Sequence, residues 1–187
     1  IPDFLKALND YPGSMITRIA TKLLMITGLR TIELRASEWS DIDFEKGIWQ
    51  IPAERMKMRR PHIVPLSSQA RELLEEIHQL TGRGRYVFHG RNDAGKPMSE
   101  ASINQVIKRI GYAGKATGHG FRHTMSTILH EQGYNTAWIE TQLAHADKNT
   151  IRGTYNHALY LDGRREMLQW YADHLDAHRD GKLAFQS

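Results

Sequence analysis

The apolar positions of this chain change period along its length, and those changes mark out its elements. Residues 14–27, SMITRIATKLLMIT, place Met15, Ile16, Ile19, Leu23 and Leu24 at helical spacing. Ser14 suits the N-cap of that helix and Gly28 its C-terminal stop. A short second helix covers roughly 31–38. Beyond it, DIDFEKGIWQIPAE and HIVPLS read as short strands, with Trp49 and Ile51 alternating with polar neighbours and Lys46-Gly47 as a turn. The simplest assembly is a three-stranded antiparallel sheet over roughly 41–66. Ser67-Ser68 then opens an amphipathic helix, SQARELLEEIHQLTG, that Gly82 ends.

Residues 82–98 are rich in Gly and Arg, with Tyr86-Val87-Phe88 as a buried strandlet. Helices are expected from Ser99 to Gly111, over 120–132 with a stop at Gly133, and over 136–144. A short segment at 148–155 leads to a last amphipathic helix near 161–176, whose apolar positions include Leu161, Met167, Leu168, Trp170, Tyr171 and Leu175. The end, HRDGKLAFQS, lacks helical periodicity and is expected to fray. The expected class is α+β, mainly α-helical with one small antiparallel sheet. A chain of 187 residues fits one domain, over 1–178, with a tail at 179–187. Opening on Ile1 rather than Met, it reads as a piece of a longer protein.

Composition narrows the chemistry. With no cysteine, the chain has no disulfide scaffold, no thiolate nucleophile and no Cys-ligated zinc site. No apolar run approaches the roughly 20 residues that span a bilayer, and no secretory signal precedes Ile1. There are 25 Lys+Arg against 21 Asp+Glu, a net charge of +4 that permits a polyanionic partner without demanding one. The distribution says more. Residues 55–71 hold Arg55, Lys57, Arg59, Arg60 and Arg71 with no acid, and residues 101–130 hold Lys108, Arg109, Lys115 and Arg122, again with none. Such runs are commonly solvated surface; their separation from the acids favours a phosphate-contacting face.

Several residues carry candidate chemistry. In TGHGFRHT, His119 and His123 share a helical face, but Gly120 breaks the HExxH zinc pattern and no third ligand is near in sequence. His119 and Arg122 could instead present a donor and a guanidinium to one anion. In TGLRTIELR, Arg30 follows the Gly stop, and Glu33 is placed to reach back to its guanidinium. An Arg fork matches two phosphate oxygens better than a lysine does. Lys57 lies in the basic connection ahead of HIVPLS. In QLAHADKNTIRGTYNHA, His145 precedes Tyr155 by ten positions. Tyr155 is either a packed ring or a nucleophile assisted by nearby cations. Each of these taken alone also suits an ordinary structural or surface role.

In order and combination they resemble the active-site series of the tyrosine recombinases, the phage and genomic-island integrase family: Arg30 in GLRxxEL, Lys57, His119-x-x-Arg122, His145 in LAH, and Tyr155. The resemblance runs from roughly residue 14 to 176. It implies a catalytic domain that breaks and rejoins double-stranded DNA at attachment sites without a cofactor, metal or ATP. Tyr155 would attack the phosphate and become joined to the 3′ end. Arg30 and Arg122 would clamp the non-bridging oxygens and His145 would donate to them. Lys57 would protonate the 5′-oxygen, His119 would assist proton transfer, and Glu33 would hold Arg30. Arg55, Arg59, Arg60, Lys108, Arg109 and Lys115 would contact the DNA backbone. The resemblance also implies DNA-binding domains upstream, a homotetramer of the full-length protein on DNA, accessory bending and excision factors, a 161–176 helix exchanged between protomers, and a cytoplasmic site of action in a bacterial host. Two features depart from simpler family members. Phe121 stands where Leu is common, and the stretch from His145 to Tyr155 is one residue longer, which leaves Tyr160 as a rival nucleophile. The other readings are a non-catalytic DNA-binding module built on a helix-turn-helix at 120–144, a metal-dependent nuclease, and a type IB topoisomerase.

Overall fold

The computed structural model describes residues 1–145 and 160–182. Helix α1 (Pro2–Asn9) precedes the first expected helix and buries Phe4, Leu5 and Leu8. Then come α2 (Met15–Thr27) and α3 (Thr31–Arg35), followed by strands β1 (Ile42–Asp43), β2 (Ile48–Ile51) and β3 (His62–Pro65). The remaining helices are α4 (Ser68–Thr81), α5 (Ser102–Arg109), α6 (Gly118–Glu131), α7 (Thr136–Gln142) and α8 (Leu161–Arg179). The architecture is mainly helical with one small antiparallel sheet, as the patterning predicts.

Helix α2 is the axis of the fold. Ile19, Ala20, Leu23, Leu24, Met25 and Ile26 are all buried, so the helix is apolar nearly all round, as a central helix must be. It packs against α1, α3, α4, α5, α6 and α8. Its end is set by Gly28, whose φ of +70° is the left-handed cap that glycine adopts without steric cost. The sheet has order β1-β2-β3, with Trp49 opposite both Ile42 and Val64. Trp49, Ile51 and Val64 are wholly buried while Gln50 faces out, which is the alternation read from the sequence. Trp49 Nε1 donates to Ser37 Oγ at 3.2 Å and so joins the sheet to the turn after α3.

The expected boundaries shift in places. Helix α3 stops at Arg35 rather than 38 because the chain leaves to pair elsewhere: Glu38 bridges Tyr86, and Val87 N donates to Ser37 O at 3.1 Å. Val87 and Phe88 of this strandlet are fully buried. The last helix runs beyond the expected 176 to Arg179, and a backbone cap closes it. Gly181 N reaches His178 O at 3.2 Å and Lys182 N reaches Ala177 O at 2.9 Å, the two bonds of a Schellman cap. Hydrophobic periodicity is blind to such a cap, because its energy comes from backbone carbonyls rather than apolar burial. The expected segment at 148–155 and the final five residues lie outside the described residues.

Helix α8 packs against α1, α2, α6, α7 and β3 of the same chain and buries Met167, Leu168, Tyr171 and Leu175. On that apolar face sits a charge, Arg164, which is 0% exposed. Its Nη2 donates to Gln142 Oε1 at 2.8 Å and to Ile63 O at 2.6 Å, and burial pulls its pKa down to about 10. Gln142 in turn donates to Thr27 O at 2.7 Å. One buried cation thus ties α8 to β3, to the end of α7 and, through Gln142, to the end of α2. No helix among the described residues is long and apolar enough to cross a membrane.

Two stability predictions follow from these joints. A Cβ on Gly28 would lie 2.8 Å from Met125 Sδ and 2.9 Å from Leu143 Cδ2, so Gly28→Ala combines left-handed strain with overpacking. It is expected to cost roughly 2–4 kcal/mol in denaturant unfolding. Arg164→Ala leaves the Gln142 and Ile63 oxygens unpaired beside a cavity and is expected to cost about 3–5 kcal/mol, with the volume-keeping Arg164→Met costing less. Stability within 1 kcal/mol of the parent in Arg164→Ala would show that the latch does not hold the helix.

Candidate active site

The site is built on the end of α2. Glycine at position 28 turns the chain so that Arg30 becomes the N-cap residue of α3. Glu33, one turn on, is 2% exposed and accepts twice from Arg30: from the backbone N at 3.1 Å and from Nη1 at 3.0 Å. The carboxylate fixes both ends of the arginine, which stays about one-third open to solvent, with 30% of its side chain exposed. The spacing Arg-x-x-Glu in the sequence is therefore a local clamp whose guanidinium keeps donors available.

Arg122 approaches from α6. The N-terminus of that helix can come close because residue 118 is glycine: a Cβ there would lie 2.8 Å from Thr31 Oγ1. Thr117 caps the helix, its hydroxyl accepting from Gly120 N at 2.9 Å. Arg122 is 5% exposed, and its bonds among the described residues go to backbone carbonyls. Its Nη1 donates to Gly28 O and its Nη2 to Leu143 O at 2.6 Å. These carbonyls are the orphan acceptors left by the ends of α2 and α7, so the arginine caps two helices at once. Burial, and then the like charge of Arg30, pull its pKa down to about 10, with Glu33 acting the other way. At neutral pH it remains a cation.

His145 stands two residues beyond the carbonyl that Arg122 holds. It is exposed, and its Nδ1 lies 2.6 Å from Glu140 Oε2. The turn that presents it is a Schellman motif: Ala144 N reaches Thr141 O at 3.1 Å and His145 N reaches Glu140 O at 3.0 Å. Its left-handed position is Ala144 with φ +51°, where glycine is usual, at a cost of about 1 kcal/mol.

The structure brings Arg30, Glu33, Arg122 and the His145 turn together around the junction of α2, α3, α6 and α7. His119 lies in the first turn of α6, next to the Gly118 contact with Thr31, and is exposed. Lys57 is exposed on the connection between β2 and β3, beside Arg59, whose φ of +54° marks a tight turn. That connection joins the rest through β3, because Arg164 holds both Ile63 O and Gln142. Arg59, Lys108 and Lys115 are exposed and Arg60 is half-buried. Tyr155 lies outside the described residues; Tyr160 is the N-cap residue of α8, and its carbonyl accepts from Arg164 N at 2.8 Å.

Two arginines of the basic runs make bonds within the protein. Arg55 turns its fork inward: Nη2 grips Asp41 at 2.6 and 2.5 Å, and Nη1 donates to Ala36 O at 2.7 Å. The acid lies outside the sequence window, since Asp41 stands fourteen residues upstream, just before β1. Arg109 is exposed, but its Nη1 donates to Tyr11 OH at 3.2 Å, which ties it to the loop after α1. Three residues that shape the site escape motif reading: Glu140, Gln142 and Arg164. Arg164 carried a signal, because a charge at the i−3 and i−4 positions of Met167 and Leu168 sits on an apolar stripe. Among the described residues no cluster of three or more metal-ligating side chains exists.

Known proteins supply the frame for this geometry. Residues 1–161 match the phage integrase family. The chain is 51% identical over 177 residues to the integrase of Shigella phage Sf6, covering 94% of this chain and 46% of that protein. The prophage integrase IntS of Escherichia coli (strain K12) shows 51% identity over 177 residues with the same coverage. This chain therefore spans about half the length of those relatives. Among solved structures, the integrase from mycobacterium phage Brujita matches with a TM-score of 0.69 at 19% identity, over 89% of this chain and 55% of that one, a likeness of fold. On the family match and these identities, the chain belongs to the phage integrase family.

Proposed function

We propose that residues 1–178 form the catalytic domain of a site-specific DNA recombinase, which breaks and rejoins strands during integration and excision of a mobile element. The observation that carries this reading is the pair Arg30 and Arg122. One is clamped by Glu33 and partly open; the other is buried on two helix-end carbonyls, close enough to feel the first one's charge. Two guanidiniums held together against their repulsion suit an incoming phosphodiester, whose equatorial oxygens gain charge in the transition state.

In this reading the Tyr155 oxygen attacks phosphorus and the bond to the 5′-oxygen breaks, leaving a 3′-phosphotyrosyl link. His119 assists removal of the tyrosyl proton, and Lys57 supplies one to the departing 5′-oxygen. Arg30 and Arg122 hold the non-bridging oxygens, and His145 donates to them. Rejoining runs the same steps backward with the 5′-hydroxyl of a partner strand. The phosphotyrosyl bond keeps the energy of the phosphodiester, so no nucleotide is needed. Arg59, Arg60, Lys108 and Lys115 contact the DNA backbone, a role their placement at or near the surface supports. The full-length protein assembles as a tetramer on paired attachment sites, in the bacterial cytoplasm where that DNA lies.

The test is a nicked suicide duplex carrying the attachment site that flanks the encoding element, incubated with the chain in EDTA. An SDS-resistant covalent adduct is expected, and Tyr155→Phe is expected to bind the duplex yet form none. An adduct in that variant reassigns the nucleophile; loss of the wild-type adduct on chelation favours a metal nuclease; relaxation of any supercoiled plasmid favours a topoisomerase. Arg30→Ala and Arg122→Lys are expected to lower cleavage by about 10²–10³ with far smaller losses in binding. Equal losses in both would make these residues general phosphate contacts.

A further inference from the structure

His145 is held twice by one residue. Glu140 accepts the His145 backbone N–H on its carbonyl at 3.0 Å, and its carboxylate Oε2 lies 2.6 Å from the imidazole Nδ1. The first bond closes the Schellman turn and fixes where the histidine leaves α7; the second fixes which way its ring faces. A carboxylate oxygen only accepts, so Nδ1 carries the proton of this bond. The other ring nitrogen, Nε2, is left on the far side of the imidazole, away from Glu140. The turn itself is anchored to the arginine pair, because Leu143, at its start, gives its carbonyl to Arg122.

We propose that Glu140 is a positioning residue for His145: it aligns the imidazole so that Nε2, and not Nδ1, meets the scissile phosphate. The proposal rests on the reading of the site as a strand-cleaving one. Glu140 does not touch the DNA in this arrangement and acts through His145. For Nε2 to donate while Nδ1–H stays on Glu140, both nitrogens must be protonated. The two side chains are 45% and 42% exposed, so the pair contributes little to fold stability. Its effect is orientational, in the way a carboxylate orients a ligating or catalytic histidine. The alanine in the left-handed position agrees with this. The chain tolerates backbone strain at residue 144 to deliver the following residue at a set angle.

The experiment measures the single-turnover rate of covalent adduct formation on the same suicide duplex, with duplex binding and thermal melting recorded for each variant. Glu140→Ala is expected to slow adduct formation at least tenfold, with binding and melting unchanged. Glu140→Gln, whose amide oxygen still accepts from Nδ1, is expected to stay within about threefold of the parent. In a His145→Ala background, Glu140→Ala is expected to change the rate by less than twofold, because there is no ring left to orient. The inference is overturned by a parental rate in Glu140→Ala, by equal losses in the Ala and Gln variants, or by the same loss with and without His145. A wild-type chain that forms no adduct overturns the strand-cleavage reading itself, and the positioning role with it.

Discussion

Arg122 is the interaction on which the site depends. A cation that is 5% exposed must find acceptors, and this one finds the last carbonyls of two helices, at Gly28 and Leu143. Each bond from a charged donor is worth about 1.5–3 kcal/mol net. Together they set the separation of the ends of α2 and α7, and therefore the relation between Arg30, which follows one, and His145, which follows the other. The arginine is thus part of the frame, and in the proposed function it is part of the chemistry too. Its depressed pKa of about 10 is the cost of that placement: burial and the charge of Arg30 both disfavour the cation. Under the proposed function, an arriving phosphate would relieve the repulsion, and substrate would complete an electrostatic arrangement that is poor without it.

A second buried cation holds the periphery to this centre. Arg164 reaches β3 and Gln142, and Gln142 reaches Thr27, one residue before the glycine that Arg122 uses. The consequence is that three separate features, the connection bearing Lys57, the turn bearing His145 and helix α8, share one polar lattice. Its Nη1 has no hydrogen-bond partner among the described residues, an unusual state for a buried guanidinium nitrogen. Replacing such a group with a well-packed apolar side chain is often tolerated thermodynamically, which separates its role in packing from its role in alignment.

Much of the fold was legible because its signals are local. The period of Ile19, Leu23 and Leu24, the glycine at 28, the alternation of Trp49 and Ile51 and the Ser67 cap each act within one or two turns of chain. The Arg30–Glu33 clamp was legible for the same reason, being an i,i+3 pair. What spacing along the chain does not carry is contact between distant residues. The ion pair of Arg55 with Asp41 is one such contact, because the two lie fourteen positions apart. The backbone cap that closes α8 at Gly181 and Lys182 is another feature that leaves no hydrophobic trace.

The sequence by itself determined the element types, the order of the candidate residues and their match to an integrase series, since these follow from side-chain chemistry and spacing along one chain. Only the tertiary structure decided which cations are free and which are committed. Arg55 and Arg164 are committed to internal acceptors; Arg30 keeps part of its fork exposed; Arg122 is committed to two carbonyls and yet adjoins Arg30. It also decided that the Glu140 carboxylate lies against His145 Nδ1. The physical reason is that a charge takes its meaning from whatever lies within a few ångströms, and for a folded chain those neighbours are set by packing between elements far apart in sequence.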